Sequence, residues 1–163
     1  MCTRILALLA AWAMLLATPA LSAEPGPPMV YLFASASCPY SKAARSFLQT
    51  AQAGDAALSV HDFETDESPA NLRLLGRLYD KIGLPQLRVV PTIVIGHHVI
   101  IGFIDDGSTG REILDTVAEC RRTACKDAVR DLIDTQDRFE AVAGLPTPAW
   151  RPACRREPGR AVR

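Results

Sequence analysis

The stretch that decides the fold is residues 29–41, MVYLFASASCPYS. Its first residues are apolar and rich in β-formers, which indicates a buried strand. Pro39 then opens a segment compatible with a helix, because its fixed φ suits the first helical position. A cysteine just before it, Cys38, faces unpaired N–H groups and the positive end of the helix dipole, which favour a thiolate. The stretch predicts a reactive thiol between a strand and a helix.

Three neighbours bear on this thiol. Ser41, three residues on, can turn its hydroxyl toward the sulfur, and Lys42 and Arg45 add positive charge if they fold back. A helix N-terminus lowers a cysteine pKa by about one to several units. The alternative is that Cys38 is a buried, inert cysteine.

Farther out, apolar spacing predicts alternating strands and helices. Ser68 and Pro69 form a cap and a first helical position, and residues 109–112 have the pattern of a capping box. The predicted order is β-α-β-α-β-β-α, with strands at 29–34, 58–63, 89–95 and 99–103 and helices beginning at 39, 69 and 109. Helical crossovers after both early strands put the first strand in the centre of an α/β sheet, with helices on both faces.

The N-terminus predicts export. Residues 1–23 combine one basic residue, an apolar run over 5–17 and small residues at the end, which is typical of a secretory signal peptide. An uncleaved anchor is the alternative, although thirteen apolar residues are short for a membrane span. The mature protein would be periplasmic or secreted, without a stable membrane span, in an oxidising compartment that permits disulfides.

The segments around the domain differ in composition. Residues 24–28 form a stiff linker, and residues 126–144 predict a further helix with Val129, Leu132, Ile133 and Phe139 facing inward. Residues 145–163, rich in Pro and Arg, predict a loose tail. Residues 151–163 carry five arginines against one glutamate, a net of +4, whereas residues 24–150 carry twelve basic and seventeen acidic side chains, a net of −5. Arginines without interleaved aromatics are weak support for nucleic-acid binding, and no nucleic-acid partner is expected.

The motif Cys38-Pro39-Tyr40-Ser41, followed later by Val90-Pro91-Thr92 before a hairpin, resembles a glutaredoxin-type member of the thioredoxin superfamily. With Gly102-Phe103 and the pair Cys120 and Cys125, the chain resembles, more narrowly, exported glutaredoxin-like proteins of bacteria. The resemblance spans about residues 29–125. It implies a thioredoxin-like, four-stranded mixed sheet and thiol–disulfide exchange, with protein or glutathione disulfides as partners.

The resemblance also implies roles for individual residues. Cys38 matches the nucleophile, Pro91 the cis-proline that faces it, and Ser41 a supporting hydroxyl. The residues implied to contact substrate are Pro39, Tyr40, Val90 and Thr92. No tightly bound cofactor is implied, and glutathione is a possible co-substrate.

Ser41 is where the chain departs from dithiol relatives, which carry a second cysteine at that position. A Cys-x-x-Cys disulfide is unavailable, so the motif predicts a monothiol mechanism. Another thiol must then release the mixed disulfide on Cys38. The candidates are glutathione, a partner cysteine, Cys120, Cys125 and Cys154.

Cys120 and Cys125 are five residues apart, so on an unbroken helix their sulfurs would not meet. A turn near residues 122–124 would allow a disulfide, either structural or acting as a second redox pair. Cys154 could be a resolving thiol, an intermolecular link or a bystander. His97 and His98 are predicted to be solvent-facing turn residues, and no metal site is expected.

Two other functions remain open at this point. A binding module could use the groove around Cys38 and Pro91 to hold a partner without turnover. A glutathione-dependent iron–sulfur carrier is the second alternative, against which Pro39 and export both argue.

Overall fold

The computed structural model describes residues 27–84, 89–133 and 152–156. The predicted signal peptide and most of the linker lie outside these ranges, as do residues 134–144 of the last predicted helix and most of the tail. In the parts of the chain that are described, no helix combines the length and apolar composition needed to cross a membrane.

A four-stranded mixed sheet forms the centre of the fold. Its strands are β1 (Met29–Ala34), β2 (Ser59–Glu64), β4 (Thr92–Ile95) and β5 (His98–Ile101), in the order β2-β1-β4-β5. β1 pairs in parallel with β2 and antiparallel with β4, and β4 and β5 form a hairpin. The α/β class and the central position of the first strand are confirmed.

Two further strands of two residues each form a separate ladder. β3 (Val89–Val90) directly precedes Pro91, and β6 (Ala153–Cys154) comes from the C-terminal tail. They pair in parallel, Val89 with Ala153 and Val90 with Cys154. The sequence predicts a loose tail at this point and does not anticipate β6.

Three helices connect and cover the strands: α1 (Pro39–Gly54), α2 (Pro69–Lys81) and α3 (Arg111–Thr123). Successive side chains of β1 point to opposite sides of the sheet, which divides the core in two. Tyr31 and Phe33 pack with Leu75 of α2 on one side. Val30 and Leu32 pack on the other, with side chains from α1 and α3. Helices cover both faces, as the sequence predicts.

The helix starts are set by local hydrogen bonds. Ser68 caps α2 by accepting the N–H of Asn71, as predicted. The capping box predicted for α3 is wrong, because the Thr109 hydroxyl instead accepts the N–H of Ile104. A π-helical turn over Asp106–Gly110 precedes α3, and the Asp105 carboxylate accepts the N–H of Ser108 at its start.

The last described helical segment begins later than predicted. Residues 130–133 are helical, whereas residues 125–127 are not. Asp127 explains the start, because one carboxylate oxygen accepts the N–H groups of Val129 and Arg130 and the other accepts the Tyr31 hydroxyl at 2.7 Å. Val129 is fully buried, so this segment closes one side of the core.

Candidate functional site

Cys38 lies where β1 gives way to α1. It occupies the N-cap position with an extended backbone, and Pro39 follows as the first helical residue. Its N–H donates to the Ser35 carbonyl at 3.2 Å, and its carbonyl accepts the Lys42 N–H at 3.1 Å. Only 2% of the residue is exposed. Cys38 therefore lies at a helix start, as the sequence predicts, and it is buried in this disulfide-bonded state.

Two carboxylates hold the turn that leads into Cys38. Asp66 accepts the Ser35 hydroxyl at 2.9 Å and the Ser37 N–H at 3.1 Å. Glu64 accepts the Ala36 N–H at 3.1 Å. Glu64 ends β2 and Asp66 follows it, so the edge strand that pairs with β1 fixes the approach to the cysteine.

The segment before β4 faces the sulfur from the other side. The Val90–Pro91 peptide bond is cis, as predicted from the sequence. The Cys38 Sγ lies 3.8 Å from the Val90 carbonyl oxygen. Val90 and Pro91 are both buried, so the site is a contact between two loops packed against each other.

A closed set of hydrogen bonds supports this segment from α2. The Tyr79 hydroxyl accepts the Val89 N–H at 3.2 Å and lies 3.0 Å from the Thr92 hydroxyl, which donates to the Val89 carbonyl at 2.6 Å. Burial raises the pKa of Tyr79, which keeps the phenol protonated. The sequence did not indicate this role for Tyr79, because nothing local links it to residues 89–92.

The cysteine that bonds to Cys38 is Cys154, 116 residues away, with 5.6 Å between the Cα atoms. Strand β6 carries it along the edge of β3, and the Arg155 N–H donates to the Val90 carbonyl at 2.9 Å. The sequence left three roles open for Cys154. The structure bonds it directly to Cys38, the candidate nucleophile.

The predicted supporting residues have different surroundings. Ser41 is fully buried, and its hydroxyl has no hydrogen-bond partner among the described residues. Arg45 does not fold back toward Cys38. Its guanidinium instead binds Asp62 and Glu64, and these hydrogen bonds, chiefly that to Asp62, raise the pKa of Arg45. Pro39 is exposed, and Tyr40 is half-buried against the core.

Cys120 and Cys125 form the second disulfide, with 4.8 Å between their Cα atoms. α3 ends at Thr123, and Ala124 adopts the left-handed conformation that lets the chain turn back. Gly96 in the β4–β5 hairpin packs against the pair so closely that a Cβ there would lie 2.4 Å from that of Cys125. The predicted pairing and turn are both present.

The same hairpin brings two imidazoles to this disulfide. Ligand atoms of His97, His98 and Cys125 lie within 4.8 Å of one another, a proximity that the sequence did not indicate. Cys125 is bonded to Cys120, however, so the disulfide leaves it without the thiolate that zinc binds. The two imidazoles are therefore structural neighbours of the disulfide.

Two surface hollows lie away from Cys38. One, of about 610 Å³, runs along the exposed side of α3, and the other, of about 260 Å³, lies beside Cys125 and Pro28. At Cys38 itself, β6 occupies the neighbouring β3 edge.

Comparison of the chain with known proteins finds no matching family profile, no matching curated protein and no matching solved structure.

Proposed function

We propose that this chain is an exported, glutaredoxin-like protein with a thioredoxin-like fold that exchanges disulfides through Cys38. The observation that carries the proposal is the position of the Cys38 sulfur. It lies at the start of α1, 3.8 Å from the carbonyl that precedes a cis-proline, and already shares a disulfide with a cysteine far along the chain.

In the proposed reaction the Cys38 thiolate attacks one sulfur of a substrate disulfide. A bond forms between Cys38 and that sulfur, and the other sulfur leaves as a thiolate. A second thiol then attacks the mixed disulfide and forms a new disulfide, and the half of the substrate bound to Cys38 is released. Two electrons pass in total, and the substrates are protein disulfides or disulfides of glutathione.

Two features support the thiolate. Cys38 occupies the N-cap of α1, where unpaired N–H groups and the helix dipole favour negative charge on the sulfur. The buried Ser41 hydroxyl, which has no partner in the described chain, is available to donate one turn into the helix. Arg45 is engaged by acids, so we assign the stabilisation to the helix start and Ser41.

The test uses the fully reduced mature chain. Alkylation of Cys38 by iodoacetamide, mapped by mass spectrometry across pH, should follow a pKa at least about one unit below the ordinary thiol value of about 8.5. The chain should also form a mixed disulfide with oxidised glutathione at Cys38. The Cys38→Ser variant should form none at that position.

An ordinary pKa together with no mixed disulfide would overturn the proposed function. If the Cys38→Ser variant then still bound the physiological partner, the binding-module alternative would be favoured instead.

A further inference from the structure

We propose that Cys154 is the thiol that resolves the mixed disulfide on Cys38, and that strand β6 delivers it along the edge of β3. This inference rests on the proposed exchange at Cys38. It names the second thiol, which Ser41 cannot supply, and it makes the C-terminal tail part of the site.

The tail and the nucleophile meet at one backbone group. The Val90 carbonyl lies 3.8 Å from the Cys38 Sγ and also accepts the N–H of Arg155 at 2.9 Å. Parallel pairing of Val90 with Cys154 sets the register of the tail, so the residue opposite Val90 is the cysteine itself. A shift of one residue would turn the Cys154 side chain to the other side of the strand.

Charge favours the docked tail. The tail has a net charge of +4, and residues 24–150 have a net charge of −5. Hydrogen bonds from Ser108 lower the pKa of Asp105, and the charge of Arg156 lowers it further, so Arg156 lies near the acidic loop before α3. The attraction raises the local concentration of Cys154 at the site.

Exposure distinguishes this disulfide from a permanent crosslink. Cys38 is buried, whereas Cys154 and both of its neighbours in the chain are exposed. A two-residue strand with exposed side chains buries little apolar surface, so once the disulfide opens only the short backbone pairing and the charge attraction hold it in place. When it leaves, the Val90 carbonyl and Cys38 become accessible to a substrate.

The chemistry balances within the chain. In the first step the Cys38 thiolate attacks a substrate disulfide, forms the mixed disulfide and releases one substrate thiolate. In the second, the Cys154 thiolate attacks the Cys38 sulfur, forms the Cys38–Cys154 disulfide and releases the second substrate thiolate. The protein dithiol loses two electrons, and the substrate disulfide gains them. In reverse, the oxidised protein oxidises a substrate dithiol.

The test compares the reduced mature chain with its Cys154→Ser variant, using oxidised glutathione as the probe. In the wild type the glutathione adduct on Cys38 should be short-lived and give way to the Cys38–Cys154 disulfide. Peptide mapping of samples quenched over time measures both species. In the variant the adduct should persist at least about tenfold longer. The double Cys120→Ser, Cys125→Ser variant is the control and should behave as the wild type.

A second pair of variants tests delivery by the strand. Arg155→Pro removes the N–H that bonds to Val90, whereas Arg155→Ala keeps it and removes the same charge. Resolution should slow several-fold in the proline variant relative to the alanine variant, with no change in the first attack by Cys38. Equal rates would overturn the role of β6.

The outcomes separate the two proposals. Equal adduct lifetimes in the wild type and in Cys154→Ser would overturn the resolving role and leave the exchange function standing. No adduct on Cys38 in either protein would overturn the exchange function and the resolving role with it.

Discussion

The two disulfides of this protein fasten the chain in opposite ways. Cys120–Cys125 closes a loop with a sequence separation of 5 at the end of α3, and Cys120 is only 2% exposed. Cys38–Cys154 spans 116 residues and joins a buried sulfur to an exposed tail strand. The first holds a turn against the core. The second holds a tail strand against the candidate site. We infer that disulfide exchange takes place at this second disulfide.

The surroundings of the shorter disulfide would persist without it. The Ala128 N–H donates to the Gly96 carbonyl, Tyr31 binds Asp127, and Val129 is buried in the core. By contrast, β6 is held by backbone pairing with two residues and by the disulfide itself. β6 therefore depends on its disulfide more than the turn at Cys125 does.

The largest expected difference is in reduction rate. A small thiol applied to the oxidised, folded chain should open Cys38–Cys154 about 1000-fold faster than Cys120–Cys125, because access controls thiol attack. Attack on Cys38 with Cys154 leaving is the reverse of the proposed resolution, whereas attack on the exposed Cys154 would bypass it, so the position of the first adduct distinguishes the two. Timed alkylation and peptide mapping measure both rates and locate the first adduct. Similar rates for the two disulfides would contradict the comparison.

The next effect concerns packing around the shorter disulfide, Cys120–Cys125. Gly96→Ala should lower the free energy of unfolding by about 3 kcal/mol or more, because a positive φ and a clash with Cys125 act together. Gly83→Ala is a matched control. Its φ of +69° is like the +60° of Gly96, but a Cβ there meets nothing within 4 Å. It should cost only about 1 kcal/mol. Denaturant unfolding of both variants measures the difference, and an equal cost would argue against the packing explanation.

A smaller effect tests the Cys38 end of the longer disulfide. In the reduced chain, Ser41→Ala should raise the pKa of Cys38 by about one unit, since a hydrogen bond to the thiolate is lost. Alkylation at neutral pH should slow up to about tenfold as the thiolate fraction falls. Ser46→Ala, an exposed position on the same helix, should leave the rate unchanged. A pKa unaffected by Ser41→Ala would show that the hydroxyl does not serve the sulfur.

The smallest effect concerns the hydrogen bond from Tyr31 to Asp127, which lies just after the shorter disulfide in the chain. Burial, together with the hydrogen bond to Asp127, raises the pKa of Tyr31 to about 12. The folded state therefore retains a proton that the unfolded chain loses near pH 10, so stability present below pH 10 should decline between pH 10 and 12. Tyr31→Phe should reduce this decline, and Tyr40→Phe should not. Unfolding measured across that range, with absorbance at 295 nm to follow ionisation, provides the test.

Much of the fold was predictable because its signals are local. The alternation in β1, the apolar spacing of α1 and the Ser68–Pro69 start of α2 each depend on residues within one or two turns. The capping box at Thr109 failed because the same hydroxyl had a competing partner, the N–H of Ile104. The support by Arg45 failed in the same way, since acids on β2 bind its guanidinium.

In the candidate site, too, some features follow from local sequence and others only from the tertiary structure. By itself, the sequence determined that Cys38 lies at a helix start, that Pro91 follows a strand segment, and that Ser41 cannot resolve a mixed disulfide. Only the tertiary structure decided which cysteine meets Cys38 and that Tyr79 supports β3. The four cysteines that follow the predicted signal peptide allow three pairings, and no local pattern selects among them. Pairing across 116 residues depends on the path of the chain, which spacing along the sequence does not encode.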